Sequence, residues 1–293
     1  MDVDLDAAVT FVATHGRVLD RRRLHLLLGT GSAEQLLAAL EGYRNPDHGY
    51  GWALEPDLRS ATSQPVAAMH ALEVLAQAGD ADGDGAPELL GWLTARTNPD
   101  GGVPFALPFT DTAGSAPHWV QADPAASSLQ MTTQLAAQAL RLARHRKDVA
   151  DHPWLAGATA YCVDGIERLD GTAHAYQLMF ALLFLDAAQD RVPQARELAA
   201  GLGKHLNPDG PTPVTGGAEG EVLHPLDFAP RPGTAARVAF SDAAIAADLA
   251  RLAGQQQDDG GWTVDFAAFS PAAALEWRGY RTVQVVEIRR ANR

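Results

Sequence analysis

Apolar residues recur along this chain at helical spacing, and short glycine-bearing turns break up the runs they form. Leu5, Ala8, Val9 and Val12 give one apolar face to a helix over residues 4–15. A second helix is predicted over 19–28, with Arg21, Arg22 and Arg23 as its solvated face. Ser32 is placed to cap a helix running through Tyr43. Pro65 opens the next, which carries Val66, Met69, Leu72 and Leu75 on one side. The same periodicity predicts helices over 87–96, 127–144, 152–169, 172–188, 193–206 and 241–252, and a last one that Ser270 caps and Pro271 opens, running to Arg290. That makes about eleven or twelve helices and almost no strand. Two stretches, 101–125 and 207–234, show no period and are long for loops in a compact domain. Such segments are usually lids or pocket walls.

The turns themselves repeat. Gln255-Gln-Gln-Asp-Asp-Gly-Gly-Trp262 is echoed by Asn45-Pro-Asp-His-Gly-Tyr-Gly-Trp52, Asn98-Pro-Asp-Gly-Gly-Val-Pro-Phe105 and Asn207-Pro-Asp-Gly-Pro-Thr-Pro-Val214. Asn45 and Asn98 lie 53 residues apart, Asn98 and Asn207 lie 109 apart, and Asp209 and Asp258 lie 49 apart. The middle interval is about two of the others, and Asp170-Gly171 marks a degenerate member inside it. A helix–turn–helix unit returning at this step cannot bury its apolar face alone, so its neighbours must complete the core. The rival arrangement is an irregular helical bundle. Glycine lets the chain reverse tightly, the aromatic packs over the turn, and the amide of Gln or Asn satisfies helix-end groups. Trp262 and the Asp258-Asp259 pair are therefore structural first, although Trp262 also qualifies as a pocket wall.

The Gln-Gln-Gln-Asp-Asp-Gly-Gly-Trp262 stretch resembles the glutamine–tryptophan repeat of squalene–hopene cyclases, and related turns occur in protein prenyltransferase β-subunits. The resemblance covers most of the chain, from Leu36 to Ile288. The other three copies keep the Asp-Gly core, with Asn in place of Gln. The resemblance implies an all-α fold, an (α/α)6 toroid formed by residues 1–293 as one domain, with inner helices lining an apolar central cavity. It also implies a small, hydrophobic isoprenoid as the bound molecule. Cyclases of this family that begin by protonating an alkene use an Asp-x-Asp-Asp motif, which this chain lacks.

Composition narrows the alternatives. Of the 293 residues 46% are apolar, ample for a large core, and the net charge of −13 with a pI near 5.1 argues against a nucleic-acid partner and disfavours a polyanionic substrate. The single cysteine, Cys162, excludes an internal disulfide. The acidic opening does not read as a secretory leader, and the longest apolar run, 179–185, is far too short for a transmembrane segment. The expectation is a soluble, cytoplasmic protein. No cofactor motif is present, and no clustered His/Cys spacing suggests a metal. The loop 80–85 alternates acid and glycine and admits calcium, but it lacks the later bidentate Glu and reads as a helix–helix turn.

Protonating an alkene takes a carboxylic acid that stays protonated, and burial against apolar walls favours that form. Glu55-Pro-Asp57, between a glycine turn and an inner helix, is the best-placed pair, with Asp57 as acid and Glu55 as support. Asp227 is the second candidate. The plainer role for Glu55 and Asp57 is a helix cap or an ion pair with Arg59. Asp111 and His118 share the long 101–125 segment, and Glu276 shares a helix face with Tyr280. A carbocation is steadied by aromatic faces. Trp52, Phe105, Phe109, His118, Trp119, Phe228, Trp262 and Tyr280 are the candidate substrate-binding residues, and Phe266 and Phe269 fall in similar positions. Two other functions stay open: a toroid that only holds a lipid or isoprenoid, and a prenyltransferase-related enzyme of different chemistry.

Overall fold

The computed structural model describes residues 3–81 and 85–293 and is all-α. The loop considered for calcium falls partly outside these residues. Fourteen α-helices succeed one another among the described residues: α1 (Leu5–His15), α2 (Val18–Leu28), α3 (Ala33–Leu40), α4 (Pro65–Ala78), α5 (Gly85–Thr94), α6 (Pro117–Val120), α7 (Leu129–Leu142), α8 (Lys147–Ala150), α9 (Pro153–Glu167), α10 (Ala175–Ala188), α11 (Ala195–Gly203), α12 (Pro225–Phe228), α13 (Asp242–Gly254) and α14 (Pro271–Ala291). The three single-turn helices, α6, α8 and α12, are those the periodicity did not predict; four residues are too few to show a period. Capping agrees with the sequence: Ser32, Ser128, Ser241 and Ser270 each accept a hydrogen bond from a backbone N–H in the first turn of their helix.

The chain divides into two compact units, one of Leu28–Glu167 and one of Met1–Leu27 with Arg168–Arg293. In the first, α4 packs on α3, α5 and α7, and α7 packs on α9. α4 is buried nearly all round, from Pro65 to Leu75, and α7 from Met131 to Ala137. A helix apolar on every face belongs inside. In the second unit α10 is the buried helix, set against α11, α12 and the 3₁₀ turn Ala235–Ala239, while α1 packs on α14. The buried carboxylate on α10, Asp186, accepts from Thr234 Oγ1 at 2.7 Å and the Ala236 N–H at 2.6 Å. Between α11 and α12 the strands Thr212–Pro213 and Val222–Leu223 pair antiparallel, Thr212 opposite Leu223.

Three of the four repeated turns share one set of bonds. Asn45, Asn98 and Gln257 each donate their N–H to a glycine carbonyl four residues on and accept from the N–H three residues on. Asp47, Asp100 and Asp259 then accept from the N–H of Gly49, Gly102 and Gly261. The next helix is bound in by hydroxyls: Ser63 Oγ donates to Asp47 at 2.7 Å and Ser127 Oγ to Asp100 at 2.6 Å. Ser241 does the same for Asp209 in the third, looser copy. A methyl on Gly102 would lie 2.5 Å from the Tyr161 ring, one on Gly49 2.6 Å from Trp92, and one on Gly261 2.7 Å from Phe11. The covering aromatic thus comes from another helix. Trp52, expected to pack over its own turn, is 56% exposed, whereas Trp262 is buried and donates to the Leu252 carbonyl at 2.7 Å.

Arg23 corrects another expectation. It is buried, not solvated, with its guanidinium 4.9 Å above the Tyr280 ring. Among the described residues no helix is long and apolar enough to cross a membrane.

Candidate functional site

The stretch between the first repeated turn and α4 is unusual from its backbone upward. Trp52 and Ala53 have φ values of 56° and 59°, in the left-handed region that L-residues rarely adopt. The Trp52 indole donates to Asn45 Oδ1 at 2.8 Å, and its N–H donates to the Ser60 carbonyl at 2.8 Å. This sharp fold turns the next residues inward. Leu54, Glu55, Asp57 and Leu58 are all buried, with Glu55 at 4% and Asp57 at 5% exposure.

Glu55 has a partner that the apolar period of α4 concealed. His70, also buried, brings Nε2 to 2.9 Å from Glu55 Oε2 and Nδ1 to 3.6 Å from Glu73 Oε2. Burial works against a charged His70, but the hydrogen bonds and charges of Glu55 and Glu73 carry its pKa above the ordinary imidazole value. Glu55 Oε1 also accepts from the Asp57 N–H at 3.3 Å. The two carboxyl groups therefore stand in one buried loop, with the His70 imidazole beside Glu55. A polar residue at a position that the helix buries was the available signal for His70.

The long segment after the second repeated turn is strapped over this loop. Gln64 holds the Leu107 backbone from both sides, accepting its N–H at 2.9 Å and donating to its carbonyl at 3.1 Å. Asp111 accepts from Ser60 Oγ at 2.7 Å and the Ala61 N–H at 3.0 Å, and these bonds hold its carboxyl below the ordinary range. Ser115 Oγ accepts from the Arg59 N–H, and the Ala116 N–H donates to the Asp57 carbonyl at 2.8 Å. Asp111 is thus a latch for the strap.

At the end of the strap α6 presents His118 and Trp119. Trp119 is buried and stacks on Phe105, centroids 4.6 Å apart and planes 12° off parallel; His118 tilts against it at 4.8 Å. His118 is exposed at its outer edge, yet desolvation of the ring holds its pKa below the ordinary value, against the pull of Glu55 and Asp57. Phe109 lies half-buried on the strap itself. The structure thus gathers Glu55, Asp57, Phe105, Phe109, His118 and Trp119 around one loop.

The remaining candidates belong to the other unit. Asp227 is ion-paired with Arg281 at 3.2 Å and accepts the His224 N–H at 2.8 Å. These two bonds make it an ion-pair partner and a helix cap. Phe228 is wholly buried against Phe240, and Trp262 is buried in its turn. Tyr280 is half-buried between Arg23 and Trp277. Arg278 donates to Asp259 at 2.7 Å.

A polar groove of about 350 Å³ opens in the first unit among α3, α4 and α5, lined by residues including Leu37, Glu41, Arg44, Tyr50 and Glu88. None of the candidate residues lines it.

No protein-family model matches the chain, and no curated protein matches it in sequence. Solved structures do match. Two are single-residue variants of the type II terpene cyclase MstE from Scytonema, each in complex with its substrate geranylgeranyl dihydroxybenzoate. Each is 14% identical with a TM-score of 0.54, the likeness covering 98% of this chain and 97% or 96% of the other. At that identity the likeness shows the fold, and it does so over nearly the full length of both chains.

Proposed function

We propose that this chain is a class II, protonation-initiated cyclase-like enzyme acting on a terpene or meroterpenoid isoprenoid, with Asp57 as the proton donor. The observation that carries the reading is the buried Glu55–Asp57 loop, closed by His70 and an aromatic strap, in a chain with the fold of a type II terpene cyclase. The glutamine–tryptophan-type turns support the same (α/α)6 toroid relationship.

The chemistry asks for one proton and a dry, electron-rich surround. A buried carboxyl favours its neutral form, which is the form that donates. Asp57 gives its proton to a terminal alkene carbon; the π pair forms the new C–H bond and leaves a tertiary cation at the neighbouring carbon. Further double bonds attack that cation in turn, and loss of a proton from the last cation restores a neutral product. Glu55, held by His70, positions the loop and supplies negative charge near the developing cation. The stacked faces of Phe105 and Trp119 suit the same task, each cation–ring contact contributing about 0.5–2 kcal/mol. No metal or cofactor enters this scheme.

The test is incubation of purified protein with farnesyl, geranylgeranyl and prenylated-aromatic substrates. Cyclised product is expected from the native chain, and Asp57→Asn is expected to lower its rate by a factor of about 10² or more. Undiminished product from that variant removes Asp57 from the role. Retention of the ligand without any product from the native chain replaces the enzyme with a carrier.

A further inference from the structure

The stack that closes the acidic loop contains a donor the protein leaves unused. Trp119 is 7% exposed, its Nε1 is out of contact with solvent, and that N–H finds no acceptor among the described residues. Four other tryptophans make the contrast. Trp52 donates to Asn45 Oδ1 at 2.8 Å, Trp92 to Asp47 Oδ2 at 2.9 Å, Trp154 to Thr97 Oγ1 at 3.0 Å and Trp262 to the Leu252 carbonyl at 2.7 Å. A buried polar hydrogen without a partner is uncommon and unfavourable. Indole is a donor only, so the missing partner is an acceptor.

The position of this N–H is well defined. Its ring is fixed by Phe105 on one face and His118 at its side. Its helix is tied to the acid: the Trp119 N–H donates to the Ala116 carbonyl, and the Ala116 N–H donates to the Asp57 carbonyl. We infer that Trp119 Nε1 is the hydrogen-bond donor to an oxygen of the substrate, and that the substrate is an isoprenoid bearing an uncharged oxygen function and not a pure hydrocarbon. This rests on the cyclase function proposed for the Glu55–Asp57 loop. The net charge of −13 disfavours a diphosphate in that place. The nitrogen is closed to solvent. Trp119 is a specificity-determining residue here; the proton comes from elsewhere.

The experiment tracks the indole itself. With ¹⁵N-labelled tryptophan the full chain gives six indole N–H resonances, one for each tryptophan, and Trp119→Phe, which keeps a stacking ring and deletes the donor, identifies one of them. Geranylgeraniol is expected to move that resonance downfield, and the hydrocarbon of the same skeleton without the hydroxyl is expected to leave it in place. Trp119→Phe should weaken geranylgeraniol binding about tenfold more than it weakens binding of the hydrocarbon. If both ligands bind and the resonance moves for neither, the inference is overturned and the cyclase reading survives. If neither ligand binds the native chain, the inference is overturned, and the cyclase reading stands or falls on its product assay. Should the variant not fold, the native chain's preference for the alcohol over the hydrocarbon reads the same quantity, and equal affinities overturn the inference.

Discussion

His70 is buried in α4, and the carboxyls of Glu55 and Glu73 raise its pKa against the opposing effect of burial. Its folded pKa lies above the unfolded value of about 6.5. The stabilisation it provides is therefore complete below about pH 6.5 and is lost as pH rises through the raised folded value. Denaturant unfolding across pH 6–9 should show this decline, and His70→Ala should abolish it while lowering stability by about 3 kcal/mol, the usual result of orphaning one member of a buried pair. A flat profile for the native chain would dismiss the ion pair. At this scale the sequence was half legible. Glu55 and Asp57 stand out because two acids flank a proline where a turn meets a helix. His70 does not, because Glu55 is fifteen residues away in the chain and most positions of its helix read as apolar. The Arg281 partner of Asp227 is hidden in the same way, because it lies 54 residues further along the chain.

The repeated turn shows how far a local motif determines an element. Asp47 and Asp100 each accept a backbone N–H inside the turn and a serine hydroxyl at the start of the next helix, so one residue closes the turn and aims the helix after it. The glycine after it is needed for space. Gly102→Ala would drive a methyl into Ser127 and the Tyr161 ring, and the expected destabilisation is about 1–3 kcal/mol by thermal or chemical unfolding. Gly157→Ala, on α9 with open space around it, is the control and should be neutral or stabilising by up to about 1 kcal/mol. The spacing of the motif was readable; the source of the covering aromatic was not. Trp92, Tyr161 and Phe11 lie on other helices, and only the folded chain brings them to the glycines.

Across the whole molecule, acid residues outnumber basic ones, and several carboxyls are held below their ordinary range by hydrogen bonds within the turns. Ser127 does this for Asp100 and Arg278 for Asp259, while at Asp47 the opposing desolvation is outweighed by the bonds from Ser63, Trp92 and Gly49. Such depressed carboxyls stabilise the fold above about pH 3.9, the unfolded value, and the contribution is lost as pH falls through the lower folded values. The combined Asp47→Asn, Asp100→Asn and Asp259→Asn variant should be less stable at pH 7 and show a shallower acid decline than the native chain. An unchanged acid slope would show that other carboxyls set it. The all-α class was readable at this scale because amphipathic periods and serine caps are local signals. The two aperiodic segments were readable only as gaps. Their courses are set by single ties such as Gln64 to Leu107, which leave no trace in hydrophobicity.

Trp52 and Ala53 hold a shape that their own side chains oppose, at about 1–3 kcal/mol for each. Excised as a peptide, the stretch would relax. Like a bowstring, it keeps its tension only between two nocks: the Asn45 bond to the Trp52 indole at one end and the strap across Asp57 and Ser60 at the other. Cut either nock and the string recoils, carrying both carboxyls out of register with the imidazole while the helices on each side stay where they were.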